Sequence, residues 1–473
     1  MGPNRWLFLA FLVGSFFILF FNLWGRSLEN HDYLRYAEVA KEMVTSGDWI
    51  VPRLNGEIYI HKPPFLYWLI AFPSNIFGSV TPFLARVPSA MFAWIGGIVI
   101  YLWGQKMWGG KQYGLVSSGI LISSHLYFWQ GRIARTDMVF GVLILFSLYF
   151  FYLRFHEDAP DSPSPQSSPV NGKGRQGGYL LTGLSFIFMG MAGMTKGPVG
   201  VLFPLLIMFL FLVKQKKLNL LIQKEFILGY VIVVFLFGSW VIPFIHRVSW
   251  DVALKVWQES KILTRHEPFY LYGYRIWVDF APWSIFIPFL FYNLLKRERN
   301  WEEDLLVLWF ISLFILLTFF PYRASKYLLP AFPPLALLMG GFWRKRSFLL
   351  FSLIFLSVMV AWHGYEYRLV QKNVIHTPGL LLSQELKTHQ DDTIGYRMDM
   401  DVLAKINFYR DRVIFQLNKV EDLKERTKGR KEVFIVTTET ALQDLMREGF
   451  LMTSVEKIGN GRESFILTRI KGF

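Results

Sequence analysis

Apolar residues run almost unbroken through many stretches of this chain, and polar residues gather between them. The first stretch is Trp6–Trp24. Others cover approximately 85–104, 113–130, 137–154, 179–194, 198–213, 225–245, 276–295, 304–320, 326–343 and 347–363. A helix of about 18 or more uncharged residues crosses a ~30 Å hydrocarbon layer. The runs are continuous and not alternating, which predicts helices and argues against a β-barrel. The pattern therefore predicts an all-α polytopic membrane protein with about eleven transmembrane helices. The first stretch is longer than the apolar core of a secretory leader and no small-residue cleavage site follows it, so it reads as an uncleaved helix.

Two regions break the pattern, and a third ends it. Residues 25–80 form a long loop, dense in charge and aromatic rings. Within it Tyr36, Ala40, Met43 and Val44 share one helical face while Arg35, Glu38, Lys41 and Glu42 lie elsewhere, which predicts an amphipathic helix along the membrane surface. Residues 156–178 are rich in Pro, Ser and Gly with few large apolar side chains and read as a disordered cytoplasmic connector. From about residue 366 the chain turns mixed and charged. Val433–Val436 and Ser464–Leu467 are β-like, and Glu439–Glu448 reads as a helix between them. The expected organisation is thus a transmembrane domain over 1–365, carrying the outer loop 25–80, and a small soluble α/β domain over 366–473.

Composition agrees with a membrane chain: 53% of the 473 residues are hydrophobic and 18% aromatic. The net charge of +15 could point to nucleic acid. However, much of the Lys and Arg lies in short clusters beside the spans, as the positive-inside rule requires, so no nucleic-acid partner is expected. Lys106, Lys111, Lys173, Arg175, Lys214, Lys216, Lys217, Lys296, Arg297, Arg299, Arg344, Lys345 and Arg346 fall on one side, which should be the cytoplasm. The 25–80 loop, the 246–275 loop and the C-terminus then face outward, to the periplasm in a bacterium. There are no cysteines, which excludes disulfides and thiol chemistry. No Gly-rich phosphate loop, Ser/His/Asp signature or zinc-protease motif occurs, so a nucleotide-driven pump is disfavoured.

Candidate chemistry gathers in the outer loops. Asp32 opens the amphipathic helix and reads either as an N-cap or as a general base at the interface. Asp137, in Arg132-Ile133-Ala134-Arg135-Thr136-Asp137, reads either as a cap or interface charge or as a second functional acid. Lys62 precedes Pro63-Pro64, so its backbone is held extended. Lys196 stands at the break Lys196-Gly197-Pro198, and Arg323 and Lys326 stand in Pro321–Tyr327. By the positive-inside rule these cations are on the wrong side, and an anionic ligand such as a phosphate would explain them. Single snorkelling residues are the plainer explanation for any one of them. His61 and His266 could bind a divalent metal with nearby carboxylates.

These stretches resemble the integral-membrane glycosyltransferases that use polyprenyl-phosphate sugars, the GT-C protein O-mannosyltransferase-like superfamily. Within it the chain is most similar to the aminoarabinose lipid A transferase branch. The matching residues are Asp32 with Arg35-Tyr36-Ala37-Glu38; Gly47-Asp48-Trp49 with Pro52, Leu54 and Gly56; Tyr59 with Lys62-Pro63-Pro64; Arg135-Thr136-Asp137; and Thr195-Lys196-Gly197-Pro198. They continue through His266–Tyr270, Pro282-Trp283-Ser284 and Lys326–Pro330. Two positions depart from the branch: Tyr33 follows Asp32 where an acidic residue is usual, and His61 precedes Lys62 where Glu is usual. Both changes remove potential metal ligands or sugar contacts.

The resemblance implies an inverting transferase that moves a sugar from a polyprenyl-phosphate donor to an envelope acceptor, lipid A or another glycolipid, on the periplasmic face of the inner membrane. It implies catalytic roles for Asp32 and Asp137, and contacts to the donor phosphate from Lys62, Tyr36, Tyr59, Arg35, Lys196, Arg323 and Lys326. No cofactor is required; a divalent metal held by His61 and His266 is the one addition considered. A protein O-glycosyltransferase with Ser or Thr acceptors is the alternative of the same architecture. A lipid-linked sugar transporter would instead carry its charges near the midplane within spans, and a non-catalytic envelope scaffold would not need Asp32, Lys62 and Asp137.

Overall fold

The computed structural model describes all residues except 1–2, 26, 29–30, 158–171, 260–266, 321–322, 343–347, 374–392, 411–412, 459–464 and 472–473. The fold is mostly helical, with a small sheet near the C-terminus. The chain divides into two compact units. The first comprises Met1–Phe21, Ile60–Leu66 and Arg86–Gly364; the second comprises Asn22–Tyr59, Tyr67–Ala85 and Tyr365–Phe473. The outer loop, expected within the membrane domain, therefore mostly groups with the C-terminal residues.

The first unit contains α1 (Pro3–Phe20), most of α4 (Pro82–Trp108), α5 (Lys111–Ser123), α6 (His125–Gly131), α7 (Thr136–Glu157), α8 (Gly172–Lys196), α9 (Val199–Lys214) and α10 (Lys224–Val248). It continues with α11 (Trp250–Glu259), α12 (Leu271–Asp279), α13 (Ile287–Lys296), α14 (Trp301–Phe319), α15 (Phe332–Gly340) and the first part of α16 (Phe348–Asn373). Among the described residues, the α4, α7, α8 and α10 helices are long and apolar enough to cross a membrane singly; a bent pair makes a fifth candidate. That is fewer than the eleven spans expected.

The differences have local causes. Residues 276–295 do not form one straight helix: α12 ends at Asp279, and the helical turn beginning at Trp283 leads into α13 after a 113° bend. Pro282 lacks an N–H and disfavours helix in the residue before it. Residues 325–331 form a 3₁₀ turn containing Pro330 before α15 begins, with Pro333 and Pro334 in its first turn. The apolar run 113–130 breaks at Ser124, whose extended backbone separates α5 from α6. Of the expected connector 156–178, residues 158–171 lie outside the described residues, and α8 already begins at Gly172.

Close helix packing comes from small residues. A Cβ on Gly104 would fall 2.9 Å from the Ser117 hydroxyl, so α4 and α5 meet without intervening side chains. At one end of the unit, acids are neutralised by bases from several helices. Glu225 accepts from Arg154 at 2.9 Å, and Asp304 accepts from Lys214 at 2.7 Å and from Arg299 at 3.0 Å. Glu302 accepts from the Tyr152 hydroxyl at 2.7 Å. Asn300 and Glu303 form a capping box that starts α14.

The second unit holds α2 (His31–Ser46), a hairpin of β1 (Arg53–Leu54) and β2 (Glu57–Ile58), and most of α3 (Phe65–Phe77). It continues with β3 (Thr393–Tyr396), α17 (Met400–Tyr409), β4 (Gln416–Leu417), α18 (Val420–Thr427), β5 (Glu432–Thr437), α19 (Glu439–Arg447), β6 (Met452–Ile458) and β7 (Phe465–Lys471). The five-stranded sheet has the order β4-β3-β5-β7-β6. β3 runs parallel to β4 and β5, and β7 antiparallel to β5 and β6. Alternation along β5 supplies both faces. Phe434 and Val436 pack with Met398, Leu403, Ile406 and Ile414, while Val433 and Ile435 pack with Leu423, Leu445 and Phe450.

Helix α2 differs most from its expected setting. Glu38 is fully buried and Glu42 nearly so, together with Leu34, Ala37, Val39, Ala40 and Met43. Its polar face is covered by α17 instead of water.

Candidate functional site

In the first unit, α7 and α8 follow one another in the chain and pack together. The start of α7 meets the end of α8, where the Lys196 ammonium donates to the Asp137 carboxylate. The side chains are only 8% and 3% exposed. Asp137 stands in the first turn of α7 and Lys196 in the last turn of α8, so each charge opposes the partial charge of its own helix end.

Further cations surround the pair. Arg135 Nε lies 3.7 Å from Asp137 Oδ2. Lys326 acts electrostatically on both Asp137 and Lys196, and Lys62 acts on Lys196. Lys196 also sits over the rings of Phe140, at 4.7 Å, and Tyr327, at 4.8 Å. Lys62, Arg135 and Lys326 thus gather around the Asp137–Lys196 pair. A cluster of cations of this kind suits an anion carrying more than one oxygen.

Neighbouring residues hold these side chains in place. Arg132, in the same loop as Arg135, donates to the carbonyls of Ile18, at 3.0 Å, and Leu19, at 2.8 Å, closing the C-terminal end of α1. Ser325, beside Lys326, accepts from Arg275 at 2.8 Å and donates to Asp279. Asp279 is fully buried and pairs with Arg275 at 2.8 Å. No motif singled out Arg275 and Asp279, although their i,i+4 spacing on α12 is visible in the chain.

Arg323, expected at the donor phosphate, is anchored on backbone carbonyls. Its guanidinium donates to the carbonyls of Thr318, at 2.9 Å, and Glu267, at 2.8 Å, tying the last turn of α14 to the segment before α12. His61 is half-buried in the first unit, and His266 lies outside the described residues. Among the described residues no group of three or more His, Asp or Glu could hold a metal ion. The structure thus lends the His61/His266 metal no support.

The second unit holds the remaining candidates. Asp32 lies in the first turn of α2; its side chain lies outside the described residues. Arg35 donates through Nε and Nη2 to the two oxygens of Asp401 and also interacts with Tyr59. Tyr36 and Tyr67 rings lie 5.8 Å apart. Asp401 lies in a region where no site was anticipated.

Glu38, one turn beyond Arg35, has both carboxyl oxygens buried without a hydrogen-bond partner. Burial pushes its carboxyl up to about 8, and Glu42 adds to this while Lys41 opposes it. Glu42 is also raised by burial, although it accepts the Gly56 N–H at 3.0 Å.

Comparisons with known proteins agree with the architecture. Residues 6–258 match the family model described as dolichyl-phosphate-mannose-protein mannosyltransferase. An uncharacterized protein of Aquifex aeolicus is 28% identical over 344 residues, 72% of this chain and 64% of the relative. The undecaprenyl phosphate-alpha-4-amino-4-deoxy-L-arabinose arabinosyl transferase 1 of Pseudomonas fluorescens is 26% identical, over 71% of this chain and 58% of the relative. The chain thus spans less than two thirds of the length of these curated relatives. Among solved structures, ArnT from Cupriavidus metallidurans bound to undecaprenyl phosphate superposes with a TM-score of 0.80, at 17% identity, over 99% of this chain and 98% of that one. The oligosaccharyltransferase AglB from Archaeoglobus fulgidus gives 0.57 at 13% identity, over 91% and 69%. Both share the fold.

Two outcomes are expected from this geometry. Lys196→Met leaves a buried carboxylate without its partner and should lower unfolding free energy by about 3–5 kcal/mol. Combined with Asp137→Asn, the loss should be smaller than the sum of the two single losses; strict additivity in denaturant titrations would disprove the pairing. The second outcome concerns Glu38. Between its unfolded value of 4.5 and about 8, the folded state holds a proton that the unfolded state releases, so stability should fall as pH rises through that interval. Glu38→Gln should flatten this dependence and melt above wild type at pH 9 but level with it near pH 4. Parallel melting curves across pH would refute the assignment.

Proposed function

The chain belongs to the dolichyl-phosphate-mannose-protein mannosyltransferase family, and on that premise we propose that it is an inverting membrane glycosyltransferase. It moves a sugar from a polyprenyl-phosphate donor to an envelope acceptor, lipid A or another glycolipid, on the periplasmic face of a bacterial inner membrane. The observation that carries this reading is the group of cations around the Asp137–Lys196 pair: Lys62, Arg135 and Lys326. The named activity of the arabinosyl transferase relatives, which act with undecaprenyl phosphate sugars, supports the donor class. Eleven crossings are retained as the reading of the apolar stretches, with shorter helices such as α1 and α9 completing the bundle.

The proposed chemistry is a single displacement. An acceptor hydroxyl attacks the anomeric carbon, the bond from that carbon to the phosphate oxygen breaks, and polyprenyl phosphate departs. Negative charge grows on the leaving phosphate, and cations already fixed in place stabilise it more than the ground state. Lys62, Lys196 and Lys326 are assigned to that charge. Asp32 is assigned to receive the acceptor proton, and Asp137 to hold Lys196 and orient the acceptor. Arg35, Tyr36 and Tyr59 are assigned to the donor head group. Backside attack inverts the anomeric centre. No step passes through a metal.

A second acceptor class follows from the family's own description, which names protein mannosyltransferases. Both are tested by incubating the purified protein with a panel of polyprenyl-phosphate sugars and measuring free polyprenyl phosphate, with lipid A or an envelope protein as acceptor. Release that depends on lipid A is expected. Release only with the protein acceptor moves the assignment to Ser/Thr glycosylation. Asp32→Asn and Lys62→Ala should each cut transfer by about 100-fold or more while the protein still inserts and keeps its melting midpoint. Full activity in both variants would show that the site is misassigned.

A further inference from the structure

The C-terminal residues of the second unit grip α2 along its length. Arg35 pairs with Asp401 near the start of α17, and Lys41 donates to the carbonyls of Asn407, Phe408 and Arg410 at its end. The separation in sequence is 366 residues both from Arg35 to Asp401 and from Lys41 to Asn407. A constant offset means that α2 and α17 run parallel and in register, over six residues or about 9 Å of helix. Each contact also suits a helix end. Asp401 sits in the first turn of α17, and Lys41 meets its last carbonyls.

A third point prevents rotation. Asn55, at the tip of the β1–β2 hairpin, donates to the Met400 carbonyl at 3.1 Å and accepts from Asn407 Nδ2 at 3.0 Å. The adjoining Gly56 has φ +81°, and a Cβ there would fall 2.6 Å from the Phe415 ring, so the hairpin needs glycine at this point. Its N–H returns to Glu42 of α2.

The Arg35 contact bears on chemistry. A guanidinium carries five N–H donors on a rigid fork. Asp401 takes only the Nε/Nη2 edge. The Nη1 end lies outside this pair, in a direction that Asp401 sets together with Tyr59, which also hydrogen-bonds the guanidinium and is itself assigned to the donor head group. Asp32 and Tyr36 lie three residues before and one after Arg35 on the same helix, so fixing Arg35 fixes the turn that carries all three.

We propose that Asp401 is a positioning residue for donor binding: it orients the Arg35 guanidinium so that the opposite edge meets the phosphate of a polyprenyl-phosphate lipid. This rests on the assignment of Arg35 to the donor head group made above. The carboxylate gives up part of the field of Arg35 in exchange for a fixed direction. The C-terminal residues thereby serve the reaction without touching the reacting atoms.

The experiment uses the full chain in detergent and measures Kd for undecaprenyl phosphate, with no sugar and no turnover, alongside melting midpoints and donor KM. Asp401→Ala should weaken binding about ten-fold, a loss of one charge-assisted contact geometry, and raise donor KM in step with little change in acceptor KM. Asp401→Glu should restore most of the affinity. Asp444→Asn, which breaks the exposed Arg397–Asp444 pair, should match wild type. Unchanged affinity in Asp401→Ala overturns the proposal. So does tighter binding, which would make Asp401 a competitor of the phosphate. So does a loss that tracks a fall in melting midpoint and is not rescued by Glu, which would make the contact structural only. If no donor supports transfer but undecaprenyl phosphate still binds in an Asp401-dependent manner, the transferase assignment fails and the positioning role stands.

Discussion

The ion pair between Lys196 and Asp137 is the constraint around which the first unit is arranged. Neither charge could sit where it does alone, because burial strips each of water. The pair forms because consecutive helices bring one C-terminal end beside the next N-terminal end, and because each helix end already favours the charge placed there. Arg135 and Lys326 then act on the committed carboxylate, and Lys62 and Lys326 act on Lys196. A site that would be too costly if assembled from bare cations is instead seeded by an internal anion.

The opposite policy holds at the α14 end of the same unit. There Glu225, Glu303 and Asp304 are matched to Arg154, Arg297, Lys214 and Arg299, with a capping box beneath. Charge is balanced locally and serves to join α7, α9, α10 and α14. One end of the unit is balanced pair by pair, whereas at the other several cations share the neighbourhood of one buried carboxylate, a setting that suits a charged ligand. Arg323 and Arg132 show that sequence position alone does not decide which kind a cation is. Both stand in the chain near the cations around Asp137 and Lys196, and both donate to backbone carbonyls.

Much of this was legible in the chain. Long apolar runs announced the α4, α7, α8 and α10 helices because a helix in lipid satisfies its own backbone and needs only length. The β-like run Val433–Val436 announced β5, and the acid at the start of α7 marked a helix beginning. The breaks were harder to read. A hydropathy window passes over Ser124 and Pro282 because the residues around them stay apolar, although the backbone turns there. The surroundings of α2 were incompletely read for a related reason. Periodicity showed a polar face but not its partner, and Glu38 is polar yet fully buried under a domain that lies hundreds of residues away. Asp401 was invisible for the same reason: nothing local distinguishes it from any first-turn aspartate until its partner is known.

The separation of 366 residues between Arg35 and Asp401 also has a consequence in time. Helix α2 leaves the ribosome long before α17 exists. At roughly 5–20 residues per second, the interval is about 20–70 s. Throughout it Glu38, Arg35 and Lys41 face water or lipid head groups with no α17 to cover them, and the first unit can be synthesised to its end. The transmembrane helices can therefore insert and pack while the outer loop is still unsealed. Synthesis of α17, and not insertion of the first unit, is the event that locks α2, so a nascent chain stalled before residue 400 would carry the helices of the first unit and still lack the clamp.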